Sequence, residues 1–177
     1  QQGVSHGRPY GLYEGERSIG LMKVYHASSV VVDIPNTSHS REHLDFGKGF
    51  YVTTLEHQAV EYGQRFLRRG RKAWLNVYDL SEDFGDLKVI RFDAYDEAWL
   101  DFITECRAGR MFGDYDIVCG GIANDKVFRT IDLYFSGDLN KQDALRRLMY
   151  EKPNNQLCFR TDVAIKRCLH FLNAVEL

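Results

Sequence analysis

The chain has 177 residues, of which 44% are hydrophobic and 27% are charged. This size and balance predict one globular domain and exclude both intrinsic disorder and a multidomain assembly. The formal charge is −2, from 23 Lys and Arg against 25 Asp and Glu, so no global charge excess points to nucleic acid or an anionic membrane as the main partner.

The four cysteines lie in apolar stretches, and none belongs to a C-x-x-C pair. This pattern favours reduced core thiols in a cytoplasmic protein. No run of about 18 apolar residues is present, so we expect no membrane contact.

Residues 1–21 are polar, rich in glycine and without periodicity. We therefore expect them to be a loose arm or a vector-derived remnant, and 22–177 to form a single domain.

Helical and strand-like patterns are mixed along the domain, which predicts an α+β fold. Strands are predicted at 22–25, 49–53, 73–80, 87–92, 116–119 and 156–160. Helices are predicted at 54–67, 93–107, 125–136, 140–150 and 161–172. Thr53 and Glu56 have the spacing of a capping box for the first helix. The helical spacing of Leu55, Ala59, Tyr62 and Phe66 places Tyr62 on its inner face.

Three short segments contain candidate functional residues. His26 is expected at the exit of the first strand and is followed by two small residues, Ala27 and Ser28. The segment Phe46-Gly47-Lys48-Gly49-Phe50-Tyr51-Val52 places two glycines before a β-prone run, which indicates a backbone that passes close to another group. The first helix then carries Ala59-Val60-Glu61-Tyr62.

These segments resemble the catalytic domain of the ADP-ribosyltransferases, in the branch that includes diphtheria toxin and the poly(ADP-ribose) polymerases. That branch has a His-Gly-Ser turn, a Phe-Gly-x-Gly-Ile-Tyr-Phe segment and a helix with Ser-x-x-Tyr. The offset from Tyr51 to Tyr62 matches that between its two nicotinamide-stacking tyrosines. From Met22 onward the chain is also similar to an uncharacterised bacterial family grouped with this fold. The resemblance implies a split β-sheet sandwich with flanking helices and an NAD-binding cleft.

The resemblance also implies roles for the matching residues. Tyr51 and Tyr62 would stack the nicotinamide, a contact worth about 1–2 kcal/mol per aromatic face. Gln156 stands at the position of the family's catalytic glutamate. The implied catalytic set is Gln156, His26 and Tyr51, and the implied NAD-binding set is His26, Ala27, Ser28, Gly49, Tyr51 and Tyr62. The implied reaction is mono-ADP-ribosyl transfer from NAD to a protein or nucleic acid, with release of nicotinamide.

Gln156 leaves a second function open, because an amide carries no charge. Loss of electrostatic stabilisation at the developing sugar cation costs about 2.7–4 kcal/mol, or on the order of 100- to 1000-fold in rate, without abolishing binding. Glu151 could supply a carboxylate from a neighbouring loop. The alternative is a weak or inactive module that binds NAD or ADP-ribose.

Two further patterns bear on ligands. His39 and His43 have the spacing of zinc ligands on a helix, but no suitable third ligand is nearby, so we expect solvated histidines and no metal. The basic residues from Arg65 to Lys72, and the pair Arg146-Arg147, suit either a solvated helix end or a patch that binds phosphate.

Overall fold

The computed structural model describes residues 21–38, 45–121, 125–151 and 156–177. Within these ranges the chain is a mixed α+β protein, which confirms the predicted class. The strands are β1 (Leu21–Ser28), β2 (Phe50–Thr53), β3 (Trp74–Ser81), β4 (Val89–Arg91), β5 (Ile117–Gly120), β6 (Gln156–Phe159) and β7 (Leu169–Glu176). The helices are α1 (Glu56–Leu67), α2 (Glu97–Arg107), α3 (Asp125–Phe135), α4 (Lys141–Leu148) and α5 (Asp162–Cys168).

The strands form one open sheet of seven, in the order β4-β5-β6-β2-β1-β3-β7. β1 pairs with β3 from Leu21 to Ser28, but it pairs with β2 only between Tyr25 and Thr53. The sheet therefore has two halves that meet at one residue pair, which we call the joint. The resemblance predicts a split sandwich, which would need two separate sheets. The described strands instead form a single sheet, whose two halves are joined through the Tyr25–Thr53 pair.

Alternating side chains give the sheet two faces with separate cores. On the four-helix face, α2, α3 and α4 share a core with β2, β5 and β6, and α1 packs against β1 and β3. On the α5 face, α5 packs against residues of β1, β2, β3 and β6, including Val24 and Phe50. No helix in the described ranges is long and apolar enough to cross a bilayer.

The start of α1 differs from the prediction. Its N-cap is Leu55, which makes no side-chain cap, so the capping box is wrong. The Thr53 hydroxyl instead accepts a hydrogen bond from the Leu55 amide and donates one to Gln58 Oε1, each at 3.1 Å. Thr53, which is one of the two residues of the joint, is thereby fixed at the end of β2.

The chain ends also differ from the prediction. The last helix ends at Cys168, and the following residues form the edge strand β7, which pairs with β3. Pairing with an existing strand outweighs the local helical pattern there. Leu21, predicted to belong to the arm, is the first residue of β1, and residues 1–20 lie outside the described ranges.

Candidate functional site

His26 links the two halves of the sheet beside the joint. It lies within β1, and not at the strand's exit as predicted. Its Nδ1 donates a hydrogen bond of 2.7 Å to the backbone carbonyl of Tyr51, and its ring lies 4.4 Å from that of Phe50 on the α5 face. Burial lowers the pKa of His26, and the bond to Tyr51 only partly opposes this effect. A neutral imidazole that donates through Nδ1 keeps Nε2 as an acceptor.

Tyr51 lies on the four-helix face, opposite the His26 ring. Its hydroxyl donates to the Gly47 carbonyl at 2.5 Å and accepts from the Phe46 amide at 3.1 Å. The buried Arg160 also holds the turn at Phe46 and Gly47, because its Nε donates to the Phe46 carbonyl at 3.0 Å. Burial is the main reason why the pKa of Tyr51 lies well above its usual value. The phenol therefore stays protonated at neutral pH.

Gln156 belongs to a row of residues that crosses four strands. Tyr25 pairs with Thr53, Thr53 with Gln156, and Gln156 with Gly120. Paired residues in antiparallel strands point to the same face, and their Cβ atoms are about 4.5–5.5 Å apart. Tyr51 pairs with Cys158, which is two residues from Gln156 along β6. The side chains of Tyr51 and Gln156 therefore lie on the same face of the sheet, the four-helix face.

Tyr62 lies on α1, but not on the buried face of that helix. Ala59 and Gly63 are the buried residues of α1, whereas the Tyr62 residue is 47% exposed. Its ring contacts Phe66 edge-on, and the Arg65 guanidinium lies 5.1 Å from the ring centre. Among the described residues, Tyr51 and Tyr62 make no ring contact with each other.

The small residues of the predicted site have structural explanations. A Cβ on Gly49 would lie 2.5 Å from the Cys158 sulfur and 2.6 Å from the Phe159 carbonyl oxygen, so β2 and β6 approach closely there. Ala27 is buried, and a Cβ on Gly63 of α1 would lie 3.5 Å from its side chain. Ser28 closes a turn by accepting from the Val30 amide at 3.3 Å.

A groove runs along α3, and we call it the α3 groove. Its first part, of about 580 Å³, lies between α3 and the last turn of α1 and is lined by Arg65, Phe128, Arg129, Asp132, Leu133 and Ser136. Its second part, of about 480 Å³, is lined by Lys126, Arg129, Thr130, Leu133, Arg147 and Glu151. Arg129 and Leu133 line both parts. Arg129 was missed by the sequence analysis, where its pattern indicates only a surface charge, because only tertiary structure places a helix arginine opposite another helix.

The four cysteine thiols are not suited to act as nucleophiles. All four cysteines are buried and unpaired, as predicted, and burial is the main cause that raises the pKa of each. In the described part of the chain, no three His, Cys, Asp or Glu side chains are placed to hold a metal ion. His39 and His43 lie outside the described residues.

The arrangement thus brings some predicted residues together and separates others. Tyr51 and Gln156 share one face beside the joint, and Tyr62 lies on a helix that covers that face. The His26 ring lies on the other face but contacts the backbone of Tyr51. The exposed Tyr62 ring can stack a flat ring and the partly exposed Gln156 can hydrogen-bond a sugar, while the cationic α3 groove adjoins Tyr62 at Arg65.

Comparisons with known proteins identify one family for this chain. No curated protein and no solved structure gives a significant match to the chain. A family described as protein of unknown function, DUF3990, matches residues 22–171. This match covers most of the chain, from β1 into β7. The chain therefore belongs to the DUF3990 family.

Proposed function

We propose that this protein is a mono-ADP-ribosyltransferase that binds NAD on the four-helix face beside the joint. In this proposal the ribose-to-nicotinamide bond of NAD breaks, and its electron pair leaves with the nicotinamide, which becomes neutral. The sugar cation is captured by a nucleophile of a macromolecular target, whose proton passes to water. We place the reaction in the cytoplasm, where buried thiols stay reduced.

The observation that carries the proposal is the hydrogen bond from His26 to the Tyr51 carbonyl across the joint. It connects two of the motif segments and fixes the backbone of β2, from which Tyr51 projects. The His26 ring itself lies on the α5 face, so it acts on a ligand of the four-helix face through the Tyr51 backbone that it holds.

The neutral side chain of Gln156 favours a second candidate, a module that binds NAD or ADP-ribose without efficient turnover. Gln156 is partly exposed in its row, with Thr53 on one side and Gly120 on the other. It can hydrogen-bond a ribose there but adds no charge. Glu151, the other proposed source of a carboxylate, lines the second part of the α3 groove.

The first experiment tests the stacking role of Tyr62, which is exposed enough to be replaced without loss of the fold. We expect Tyr62→Ala to weaken NAD binding about 5- to 30-fold in calorimetry, which corresponds to one aromatic face at 1–2 kcal/mol. The matched control is Tyr150→Ala, because Tyr150 is 82% exposed and outside the motifs. Equal NAD affinity in both variants, or no NAD binding by the wild type, contradicts the proposal.

The second experiment separates the two candidate functions through Gln156→Glu. If the protein is a transferase limited by its neutral amide, the carboxylate raises the rate of nicotinamide release from NAD by on the order of 100-fold. A wild type that binds NAD without releasing nicotinamide, together with turnover by Gln156→Glu, supports the binding module. NAD binding without turnover in either protein argues against the transferase.

A further inference from the structure

The α3 groove has an excess of positive charge that ion pairs among the described residues do not neutralise. Four cations line it, namely Arg65, Lys126, Arg129 and Arg147, against two carboxylates, Asp132 and Glu151. Asp132 is already bound to Arg107 at 2.8 Å. Within the described residues, none of the four cations forms an ion pair. An anionic ligand is the natural partner of such a wall.

The first part of the groove is open to solvent, and its volume and lining can accommodate a nucleotide. Its volume of about 580 Å³ falls within the usual range for small-ligand pockets, about 300–1,000 Å³. Two arginines from different helices, Arg65 and Arg129, line the same part. Arginine binds phosphate oxygens through two parallel hydrogen bonds, which suits a diphosphate. Phe128 and Leu133 add apolar surface for a base or sugar.

The groove is continuous with the site proposed for nicotinamide. Arg65 and Tyr62 are three residues apart on α1 and therefore neighbours on its surface. The Arg65 guanidinium lies 5.1 Å from the centre of the Tyr62 ring. A ligand whose flat ring stacks on Tyr62 would thus reach Arg65 with its next charged group.

We infer that Arg65 and Arg129 bind the diphosphate of NAD, and that its adenosine half lies in the α3 groove against Phe128 and Leu133. The inference rests on the proposed function for the identity of the ligand, but not on turnover. Lys126 and Arg147, in the second part, add long-range attraction for the anion.

The test uses ADP-ribose, which keeps the diphosphate and adenosine but lacks nicotinamide. We expect Arg65→Ala and Arg129→Ala each to weaken ADP-ribose binding about 10- to 100-fold in calorimetry, as for the loss of a charged hydrogen bond. The matched control, Arg68→Ala, removes an exposed arginine at the end of α1 outside the groove, and we expect less than about a 2-fold change. Thermal unfolding of each variant verifies that the fold is retained.

The outcomes separate this inference from the proposed function. Unchanged ADP-ribose binding in both arginine variants overturns the inference, and the proposed function survives if Tyr62→Ala still weakens NAD binding. Arginine-dependent ADP-ribose binding without any effect of Tyr62→Ala on NAD supports the inference and overturns the stacking site. If a single-stranded oligonucleotide displaces ADP-ribose at lower concentration, the groove is a nucleic-acid site and the inference is wrong. A wild type that binds neither NAD nor ADP-ribose overturns both.

Discussion

Replacement of Arg160 by methionine is expected to lower the free energy of unfolding by about 2–4 kcal/mol. Arg160 is 7% exposed and donates to three backbone carbonyls, those of Phe46, Phe112 and Gly113, each at 3.0 Å. Its guanidinium also lies 5.1 Å from the centre of the Phe102 ring. Methionine fills much of the same volume but donates no hydrogen bond.

The expected loss in the free energy of unfolding depends on which of the three carbonyls water can reach once Arg160 is replaced. Phe112 and Gly113 are exposed, so water can replace the arginine there, whereas Phe46 is fully buried. One buried acceptor left without a donor costs about 1–3 kcal/mol. Loss of the contact with the Phe102 ring adds about 1 kcal/mol.

The assay is equilibrium unfolding in urea at neutral pH. The control is Arg110→Met, because Arg110 is exposed and pairs with Glu105 on the surface, so we expect a change of about 0–1 kcal/mol. Equal losses in the two variants, or a loss below about 1 kcal/mol for Arg160→Met, would refute the reasoning. The turn at Phe46 and Gly47 also holds the Tyr51 hydroxyl, so we expect NAD affinity to fall with stability.

Four further substitutions test the packing and electrostatics of the sheet and of α1. Gly49→Ala should destabilise the protein by about 2–4 kcal/mol, because the new Cβ meets the Phe159 backbone at 2.6 Å. Gly63→Ala should be near neutral, because its one close contact, at 2.5 Å, is with the flexible end of Leu177 and the change gains helix propensity. Urea unfolding of the pair checks this, and equal losses would contradict it. Asn76→Ala should cost about 2–3 kcal/mol by the same assay, because the buried amide accepts from the Val32 amide at 2.8 Å and donates to the His26 carbonyl at 3.2 Å; a loss under 1 kcal/mol would argue against these bonds. Since burial lowers the pKa of His26 below 6.5, the unfolded chain takes up a proton first, and stability should fall as the pH drops below about 6.5. His26→Gln should flatten that part of the pH profile, and an unchanged slope would exclude His26 as its cause.

The sequence alone predicted the elements that depend on local pattern. The buried face of α2, with Trp99, Phe102 and Ile103, follows helical spacing, and Asp96 caps it through the Trp99 amide at 2.9 Å. β6 begins at Gln156, as the alternating pattern predicts. The prediction failed at Tyr62, because helical spacing fits it to a buried stripe, whereas the close packing of Ala59 and Gly63 on the sheet turns it outward.

What the sequence by itself determined is the class of the fold, the buried thiols and the motif residues that could meet a ligand. Only the tertiary structure decided which of them share a face. Strand register places Tyr51 and Gln156 together and the His26 ring opposite, and the tertiary arrangement brings Arg65 of α1 and Arg129 of α3 to one groove. The physical reason is that local patterns act over a few residues, whereas register and helix packing depend on burying apolar surface from distant parts of the chain.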